Sequence, residues 1–449
     1  MNRDLLVRGG IVAGEDRASP ADVLVRAGVI RAVGAGAAAA APDGVEVVEA
    51  AGLLVLPGGI DTQVHFREPG LEHKEDLASG SLAAVAGGIT SFCEMPNTKP
   101  PTTTPERLAD KLSRAAGRAW ADHAFFLGAT AANAERLGEW EELPGCAGVK
   151  VFLGSSTGDL LVPDDPTLER VLSCGRRRVA VHAEDEPRLR ERYAALGEEA
   201  PVACHPEVRD VECALRATRR LLDLVEKTRR PVHILHLSTA EEVELVRERD
   251  LGELVTCETT PNHLFLCAPA CYAAHGTHAQ MNPPVRDARH RDALRAAVAD
   301  GTIACVGSDH APHTLAEKAR PYPRSPAGIP GVQTTLPLLL TAVRDGWLGL
   351  PDVVRLLGTR PAAVYGIARK GRIAPGMDGD LVLVDPRIRA PLPLAWLRSR
   401  AGFSPFAGVE LAGWPVLTVL RGAVVHRDHA PVGSPAGAPL GFDRGAGPR

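Results

Sequence analysis

Eight short apolar runs, each followed by a stretch with helical character, dominate the sequence from residue 57 onward. Strands that alternate with helices in this way are typical of a parallel sheet, because parallel neighbours need a crossover connection. Eight such units predict a (β/α)8 barrel of the TIM type, an α/β fold. The runs lie within residues 58–70, 88–95, 123–127, 148–153, 178–182, 231–237, 254–259 and 303–309.

The two ends of the chain carry β signals instead of this alternation. Short apolar runs separated by glycine turns occupy residues 4–56, and similar runs return between residues 365 and 427. We therefore predict that residues 1–56 and 365–427 form one small β-sandwich domain beside a barrel of residues 57–364. Residues 428–449 are rich in Gly, Pro and Ala, and we expect a disordered tail there.

The composition excludes several classes of protein. A net charge of -4 with both signs interspersed favours neither nucleic acid nor a membrane surface as a partner. No apolar run is long enough to cross a bilayer, and the first residues do not resemble a signal peptide. The 9 scattered cysteines are typical of reduced thiols in a cytoplasmic protein. Cys267 and Cys271 are followed by no second pair, so we favour free thiols over a zinc site.

Ionisable residues lie at the ends of several predicted barrel strands. The carboxyl ends of the strands form the active site of a (β/α)8 enzyme. Alone, a buried histidine is more often a hydrogen-bonded core residue, and a lysine at a strand end usually extends its amine to solvent. Several metal-competent groups at equivalent positions of different strands predict a metal site instead. These groups are His65, Lys150, His182, His236 and Asp309.

The first barrel segment has the densest polar pattern. Alternation in a strand would place Gln63, His65 and Arg67 on one face, because residues two apart point the same way. An imidazole and a guanidinium there predict a metal site with an adjacent site for an anion. The alternative for Arg67 is a surface salt bridge with Glu68 or Glu72.

Seven short motifs carry these residues in a recognisable order. They are Ile60–Gly70, Glu94–Thr98, Val149–Phe152, Val181–Glu184, His236–Thr239, Met281–Arg286 and Ser308–His313. The set resembles the amidohydrolase superfamily and, within it, the dihydroorotases. The resemblance spans nearly the whole chain except the tail, and it implies an enzyme that interconverts L-dihydroorotate and N-carbamoyl-L-aspartate in pyrimidine (UMP) biosynthesis.

The resemblance also implies a metal centre with one or two Zn²⁺ ions. His65 would bind one ion, and His182 and His236 would bind the second. Lys150 would carry a carbamate that bridges both ions, since a lysine ammonium cannot bind a cation. Asp309 would bind metal and act as the catalytic residue that moves the proton.

The substrate-binding residues follow from the same resemblance. Arg67, Asn97 and His313 would bind the substrate carboxylate, and a guanidinium suits that group because it can grip it through two hydrogen bonds. Asn282 and the backbone at Ala327 and Gly328 would hold the polar edge of the ring. Hydantoinases and allantoinases share the metal residues but need no such anion clamp, so another cyclic amidase is an alternative.

Gln63 departs from the family pattern, which has His-x-His where this chain has Gln-x-His. A carboxamide oxygen is a poor zinc ligand beside imidazole. Gln63 would then be a weak ligand or a neighbour of the first metal, or the enzyme would work with one tightly held zinc. A third alternative is an inactive dihydroorotase-like subunit that supports a transcarbamoylase. Because the other groups are present, we favour an active enzyme, and the family implies a homodimer.

Two further sets of polar residues have no predicted role in the site. The stretch Asp428–Pro431 repeats part of the Ser308–His313 motif but lies beyond the predicted sandwich, so we interpret it as coincidence. His205, His275 and His278 fall in predicted loops without a partner motif, and we expect them at the surface.

Overall fold

Eight parallel strands form the predicted barrel. The computed structural model describes residues 4–155, 160–162, 164–197 and 200–443. Neighbouring strands pair in chain order, and a bridge between Val64 and His310 joins the last strand to the first. The (β/α)8 prediction is confirmed. The strands are Gly59–Val64 (β6), Ile89–Glu94 (β7), Asp122–Gly128 (β8), Cys146–Phe152 (β9), Val179–His182 (β10), Val232–Ile234 (β11), Val255–Thr259 (β12) and Cys305–Val306 (β13).

Helices follow the barrel strands and cover the outside of the sheet. Most longer ones begin at a residue whose side chain accepts a hydrogen bond from the first turn, as Thr104 and Thr239 do. Along the chain the helices are Gly36–Ala39 (α1), Leu77–Ala86 (α2), Pro105–Ala115 (α3), Leu137–Trp140 (α4), Asp165–Leu172 (α5), Glu186–Ala194 (α6), His205–Val208 (α7), Val211–Thr228 (α8), Ala240–Arg249 (α9), Pro261–Phe265 (α10), Ala270–His275 (α11), Ala288–Ala299 (α12), Leu315–Lys318 (α13), Thr335–Arg344 (α14), Leu350–Val354 (α15) and Arg360–Tyr365 (α16).

Strands from both ends of the chain form one second sheet, as predicted. The two ends meet where the fifth strand pairs antiparallel with the fourteenth, with Leu56 opposite Val382. Leu5, Val55 and Leu383 belong to the apolar core of this outer domain. Its strands are Leu5–Ala13 (β1), Ala18–Arg26 (β2), Val29–Val33 (β3), Glu46–Glu49 (β4), Leu54–Pro57 (β5), Leu381–Pro391 (β14), Glu410–Leu420 (β15), Ala423–Arg427 (β16) and Ala430–Pro431 (β17).

The C-terminal tail differs from the expectation of disorder. After β17 the chain returns to the amino-terminal end of the barrel, where the backbone N–H of His123 donates to Ala438 O at 3.0 Å. Leu440 N–H donates to His123 O at 2.8 Å, and its side chain packs in the apolar core inside the barrel. Backbone pairing and one apolar anchor therefore outweigh the Gly/Pro-rich composition as far as residue 443. Residues 444–449 lie outside the described residues.

A buried group of charges joins the barrel, the outer sheet and the tail. The Nζ of Lys370 lies 2.6 Å from a carboxylate oxygen of both Asp122 and Asp380, and 3.0 Å from Asp378. Arg421 pairs with Asp122 as well. Asp122 begins β8, so this cluster lies at the amino-terminal end of the barrel. Every charge in it faces an opposite one.

Two further expectations can be compared with the described residues. All nine cysteines are free thiols, as expected. No described helix combines the length and the apolar character needed to cross a membrane. Asp428 and His429 form the turn between β16 and β17 in the outer sheet, and neither lines the pocket that contains Asp309.

Candidate active site

Most of the predicted site residues meet in one pocket at the carboxyl end of the barrel. Two predicted residues, Lys150 and His313, lie just behind its wall: Lys150 sits over the ring of Phe152, and His313 contacts Arg67. The pocket is lined by Gln63, His65, Arg67, Asn97, Phe152, His182, His236, Asn282, Asp309, Ala311, Ala327 and Gly328. The structure thus brings together residues that the sequence spreads over almost 270 positions.

His182 and His236 point ring nitrogens at each other. His182 Nδ1 lies 3.0 Å from His236 Nε2, close to the separation of about 3.3 Å expected for two nitrogens bound tetrahedrally to zinc. Burial lowers the pKa of both rings, so both are neutral at pH 7. Neutral imidazole is the form that binds metal, and the pair therefore fits a shared ion.

A carboxylate behind His182 determines which of its nitrogens faces the pocket. Glu184 lies 3.0 Å from His182 Nε2 and also pairs with Arg209. Burial alone would raise the pKa of Glu184, but Arg209 and His182 lower it to about 2. The negative charge of Glu184 stabilises a proton on the nearby Nε2, which leaves Nδ1 bare toward His236, although the contact itself does not have hydrogen-bond geometry. This carboxylate–histidine arrangement is common behind metal ligands.

Lys150 is a buried amine without a countercharge beside it. Its Nζ has no hydrogen-bond partner among the described residues. Burial lowers the pKa of Lys150 to about 7, although Asp309 and Glu258 oppose this shift. A substantial fraction of the amine is thus neutral at pH 7, and only the neutral amine can react with CO₂ to form a carbamate.

His65 and Asp309 present two electron-rich atoms to the same point. His65 Nδ1 lies 2.8 Å from Asn97 Oδ1, so Nδ1 carries the proton. The bare Nε2 then lies 3.2 Å from Asp309 Oδ1. A lone pair and a carboxylate at this distance repel unless a proton or a metal cation lies between them. These two atoms are therefore suitable ligands for a second ion.

Gln63 acts as a hydrogen-bond donor in this arrangement. Its Nε2 donates to Asp309 Oδ1 at 3.0 Å, and its Oε1 has no partner in the part of the chain that the structure describes. The expectation of a shared strand face is wrong in detail, because β6 ends at Val64 and Arg67 has φ 68. The three side chains reach one pocket because the chain leaves the strand.

Arg67 is a buried cation that no described carboxylate neutralises. Its side chain is 1 % exposed. Its Nε donates to Pro312 O at 3.1 Å, and one Nη lies 3.2 Å from His313 Nε2. Burial lowers the pKa of Arg67 to about 10, so it stays charged at pH 7. A salt bridge with Glu68 is excluded, since Glu68 pairs with Arg118 at 2.6 Å. An unneutralised buried guanidinium beside a pocket favours an anionic ligand.

His313 completes this side of the pocket. Its Nδ1 faces Lys74 Nζ at 3.1 Å, and its Nε2 faces Ala327 O at 3.0 Å. Burial and the charges of Arg67 and Lys74 hold the pKa of His313 well below its usual value, so the ring is neutral. A side chain at Gly328 would meet Ala311 O at 2.3 Å, so glycine lets the backbone form the pocket wall.

One functional candidate was missed by the sequence analysis. His205 was expected at the surface, yet it is 0 % exposed and lies 3.1 Å from Asn282 Oδ1. A usable signal existed: His205 follows β10, and all loops after barrel strands gather at the carboxyl end. His275 and His278 are half-buried, and His278 stacks on Phe403.

A second group of metal-competent side chains lies inside the barrel. His233, Glu258 and Cys305 offer ligand atoms within 4.8 Å of one another. However, Glu258 Oε2 already accepts from Thr62 and lies 3.2 Å from His233 Nε2. Burial raises the pKa of Cys305 well above its usual value, so the thiol is protonated. The spacing of the three side chains would suit a metal ion. Their mutual contacts and the protonated thiol are equally those of a polar cluster in the barrel core.

Comparisons with known proteins agree with this geometry. The Amidohydrolase family profile matches residues 54–425. The dihydroorotase of Methanosarcina acetivorans is 38% identical over 418 residues, which cover 90% of this chain and 88% of that protein. The dihydroorotase of Halobacterium salinarum is 39% identical over 381 residues, covering 83% of this chain and 86% of that one.

Solved structures of cyclic amidases share the fold. L-Hydantoinase (dihydropyrimidinase) from Arthrobacter aurescens superposes with a TM-score of 0.91 at 28% identity, covering 98% of this chain and 100% of that chain. Dihydropyrimidinase from Brevibacillus agri superposes with a TM-score of 0.89 at 28% identity, covering 97% of this chain and 98% of that one.

Proposed function

We propose, from the premise that the chain belongs to the amidohydrolase family, that it is a metal-dependent dihydroorotase. It would interconvert L-dihydroorotate and N-carbamoyl-L-aspartate with water. The observation that carries this proposal is the buried, unneutralised guanidinium of Arg67 at the wall of a pocket rich in metal ligands. A substrate ring with a carboxylate supplies the missing charge, whereas hydantoin and allantoin carry none.

The side chains of the pocket fit the metal that this family uses. His182 and His236 would hold one ion, and His65 and Asp309 would contribute to a second. Lys150 would join both sites after its neutral amine attacks CO₂, which forms an N–C bond and releases one proton. A divalent metal bound there would polarise the scissile amide and lower the pKa of water.

The chain's own residues would then bind the substrate and move its proton. Arg67 pairs with the substrate carboxylate through charge-assisted hydrogen bonds, with Asn97 and His313 beside it. Asp309 takes a proton from the attacking water and delivers it to the ring nitrogen as the C–N bond breaks. Asn282 and the backbone of Ala327 and Gly328 orient the polar edge of the ring.

Gln63 affects how many metal ions the enzyme holds. Its amide nitrogen donates to Asp309, while an imidazole at this position would bind metal directly. The site built on His182 and His236 would therefore hold zinc tightly, and the site at His65 would hold it weakly. The same substitution favours a second candidate function, an inactive subunit that supports an aspartate transcarbamoylase.

One experiment separates these candidates. Metal content per chain and the hydrolysis of dihydroorotate, hydantoin and allantoin are measured on the wild type and on Gln63→His. We expect about one tightly held zinc, a preference for dihydroorotate, and a second zinc in the variant. Faster hydrolysis of hydantoin or allantoin would identify another cyclic amidase. Absence of both zinc and activity, with binding to a transcarbamoylase, would identify a supporting subunit.

The proposal extends to location and assembly. We propose a cytoplasmic homodimer, in line with the family resemblance. Light scattering during gel filtration measures the mass, and a mass near 47.4 kDa, that of one chain, would contradict the dimer.

A further inference from the structure

A buried histidine outside the seven motifs contacts one of the proposed substrate-binding residues. His205 opens α7, and its ring lies between the loop that carries Asn282 and the rim loop of residues 314–328. Its Nε2 lies 2.9 Å from Met281 O and 3.1 Å from Asn282 Oδ1. Its Nδ1 lies 3.2 Å from the hydroxyl of Tyr322, and the two rings meet edge to face. Every polar atom of the ring therefore has a defined partner.

These contacts determine which ring nitrogen carries the proton. The carbonyl of Met281 can only accept a hydrogen bond, so Nε2 of His205 must carry the hydrogen. Nδ1 is then the acceptor, and the hydroxyl of Tyr322 donates to it. Burial and the nearby charge of Arg209 lower the pKa of His205 to about 3, so the ring keeps a single proton at physiological pH.

The same proton determines the orientation of the Asn282 amide. The Nε2–H group of His205 faces Asn282, so the atom of the amide that approaches it has to be the oxygen. If the amide were turned by 180°, two donors would face each other and one hydrogen bond would be lost. The NH₂ group of Asn282 is consequently directed away from His205, and Asn282 itself lines the pocket.

We propose that His205 is a positioning residue that holds the Asn282 amide with its NH₂ group ready to donate to a carbonyl oxygen of the bound ring. This inference rests on the proposed function, since it assigns the hydrogen-bond pattern of that substrate. A ring with a carbonyl acceptor at this point is selected, and an analogue that presents an N–H group there is rejected. A site built to donate leaves its donor unpaired when the acceptor is missing.

Tyr322 connects this arrangement to the rim of the pocket. It belongs to the loop that also supplies Ala327 and Gly328, and its hydroxyl bonds to His205. Arg209, four residues after His205, pairs with Glu184 behind the metal-ligand candidate His182. The short segment from His205 to Arg209 thus supports the substrate side and the metal side of the pocket together.

The test compares His205→Phe, Asn282→Ala and the double variant in dihydroorotate hydrolysis. Phe keeps an aromatic ring but removes both nitrogens. We expect His205→Phe to raise KM about tenfold, the loss of one well-placed hydrogen bond, with kcat changed less than twofold and zinc content unchanged. In the double variant, KM should equal that of Asn282→Ala alone, because His205 acts through Asn282. The proposal would be overturned if the effects of the two single variants on KM multiplied in the double variant. An unchanged KM in His205→Phe would also overturn it.

Two further variants exclude a general loss of structure. His205→Gln retains an N–H donor and should return KM to within about threefold of the wild type. His290→Phe is the matched control, because His290 is also buried and accepts a hydrogen bond at Nδ1, from Ala240 N–H on an outer helix. It should leave KM unchanged. An equal rise of KM in His290→Phe would assign the effect to packing and overturn the role of His205.

A measurement without substrate separates this inference from the proposed function. ¹⁵N spectra of histidine-labelled protein, assigned with His205→Phe, report which nitrogen of His205 is protonated. The Nε2-protonated form is expected, and the Nδ1-protonated or doubly protonated form would overturn the inference. A wild type that does not hydrolyse dihydroorotate would refute the proposed function, while the ring's protonation would still be decided by these spectra.

Discussion

Two buried lysines show how differently the two ends of the barrel are built. Lys370, at the amino-terminal end, is surrounded by three carboxylates, which raise the pKa of its amine although burial opposes the shift. Lys150, at the carboxyl end, has no described hydrogen-bond partner, and burial lowers its pKa to about 7. At the amino-terminal end the buried lysine is paired with carboxylates of the chain, whereas at the carboxyl end the buried lysine has no such described partner and is available to a ligand.

The same contrast extends to the neighbouring groups. Asp122 at the closed end accepts from Lys370, from Arg421 and from the backbone N–H of Ala438. At the open end Arg67 has no described carboxylate partner, and His65 Nε2 faces Asp309. Unsatisfied buried polar groups cost free energy, and Gln63, Lys150, His182 and His236 each have such an atom at or beside the pocket. We expect variants at the carboxyl end of the barrel to lower activity, and variants at the amino-terminal end to lower stability.

The largest effect on activity should come from Asp309, the proposed proton carrier at the carboxyl end of the barrel. Asp309→Ala should lower kcat by about 10⁴-fold or more, because it removes both a metal-ligand candidate and the proposed general acid–base. The melting temperature should change little, since the variant loses one described hydrogen bond, from Gln63, and also removes the carboxylate that faces the bare Nε2 of His65. Steady-state kinetics and thermal unfolding measure both. Retained turnover would contradict the assigned role.

The second effect should appear at the closed end and only in stability. Lys370→Met removes one cation from three buried carboxylates, and the free energy of unfolding should fall by about 3–5 kcal/mol. The folded fraction should keep its kcat. Denaturant unfolding measures the change. Lys227→Met, which breaks the exposed pair with Glu169, is the control and should cost less than about 1 kcal/mol. Equal losses in both variants would contradict the contrast.

A smaller effect is expected for the anion clamp. Arg67→Met should make the free energy of dihydroorotate binding less favourable by about 1.5–3 kcal/mol, which is the usual contribution of a hydrogen bond to a charged group. KM should therefore rise roughly 10- to 150-fold. Dihydrouracil has the same ring without the carboxylate, and its KM should not change. A KM for dihydroorotate that stays at the wild-type value would remove the main support for the proposed substrate.

The smallest effect concerns Lys150 and pH. Metal-free protein equilibrated with ¹³C-bicarbonate should show a carbamate resonance that is absent from Lys150→Met. Because the ammonium form cannot react, the signal should be low at pH 6, half-maximal near pH 7 and high at pH 8, following the lowered pKa of Lys150. ¹³C NMR measures it. A signal that develops only above pH 9 would show that burial does not lower the pKa of this amine.

Much of this molecule could be predicted from the order of its residues. Strand–helix alternation predicted the barrel, since the two periodicities differ clearly, and the fold is confirmed. Ordered motifs predicted the amidohydrolase family, which is confirmed, and a dihydroorotase, which the curated relatives support. The individual roles of Lys150, Asp309 and the pocket residues remain predictions.

Other features depend on contacts that no local pattern records. The burial and the contacts of His205 could not be predicted from the sequence, because its partners Asn282 and Tyr322 lie 77 and 117 positions away. The tail looked disordered because composition does not show that the side chain of Leu440 fits into the barrel interior at its amino-terminal end. The residue type predicts that Gln63 is a poor metal ligand, but only the structure shows that its amide donates a hydrogen bond to Asp309.

The pairing of β5 with β14 also has a consequence during synthesis. Leu56 leaves the ribosome long before Val382, its partner more than 300 residues later. At 5–20 residues per second, the nascent chain exposes this apolar edge strand for roughly 15–65 s. An unpaired strand edge is a site of aggregation. The edge of β5 that later pairs with β14 is therefore open to pairing with other chains until the C-terminal segment has been synthesised.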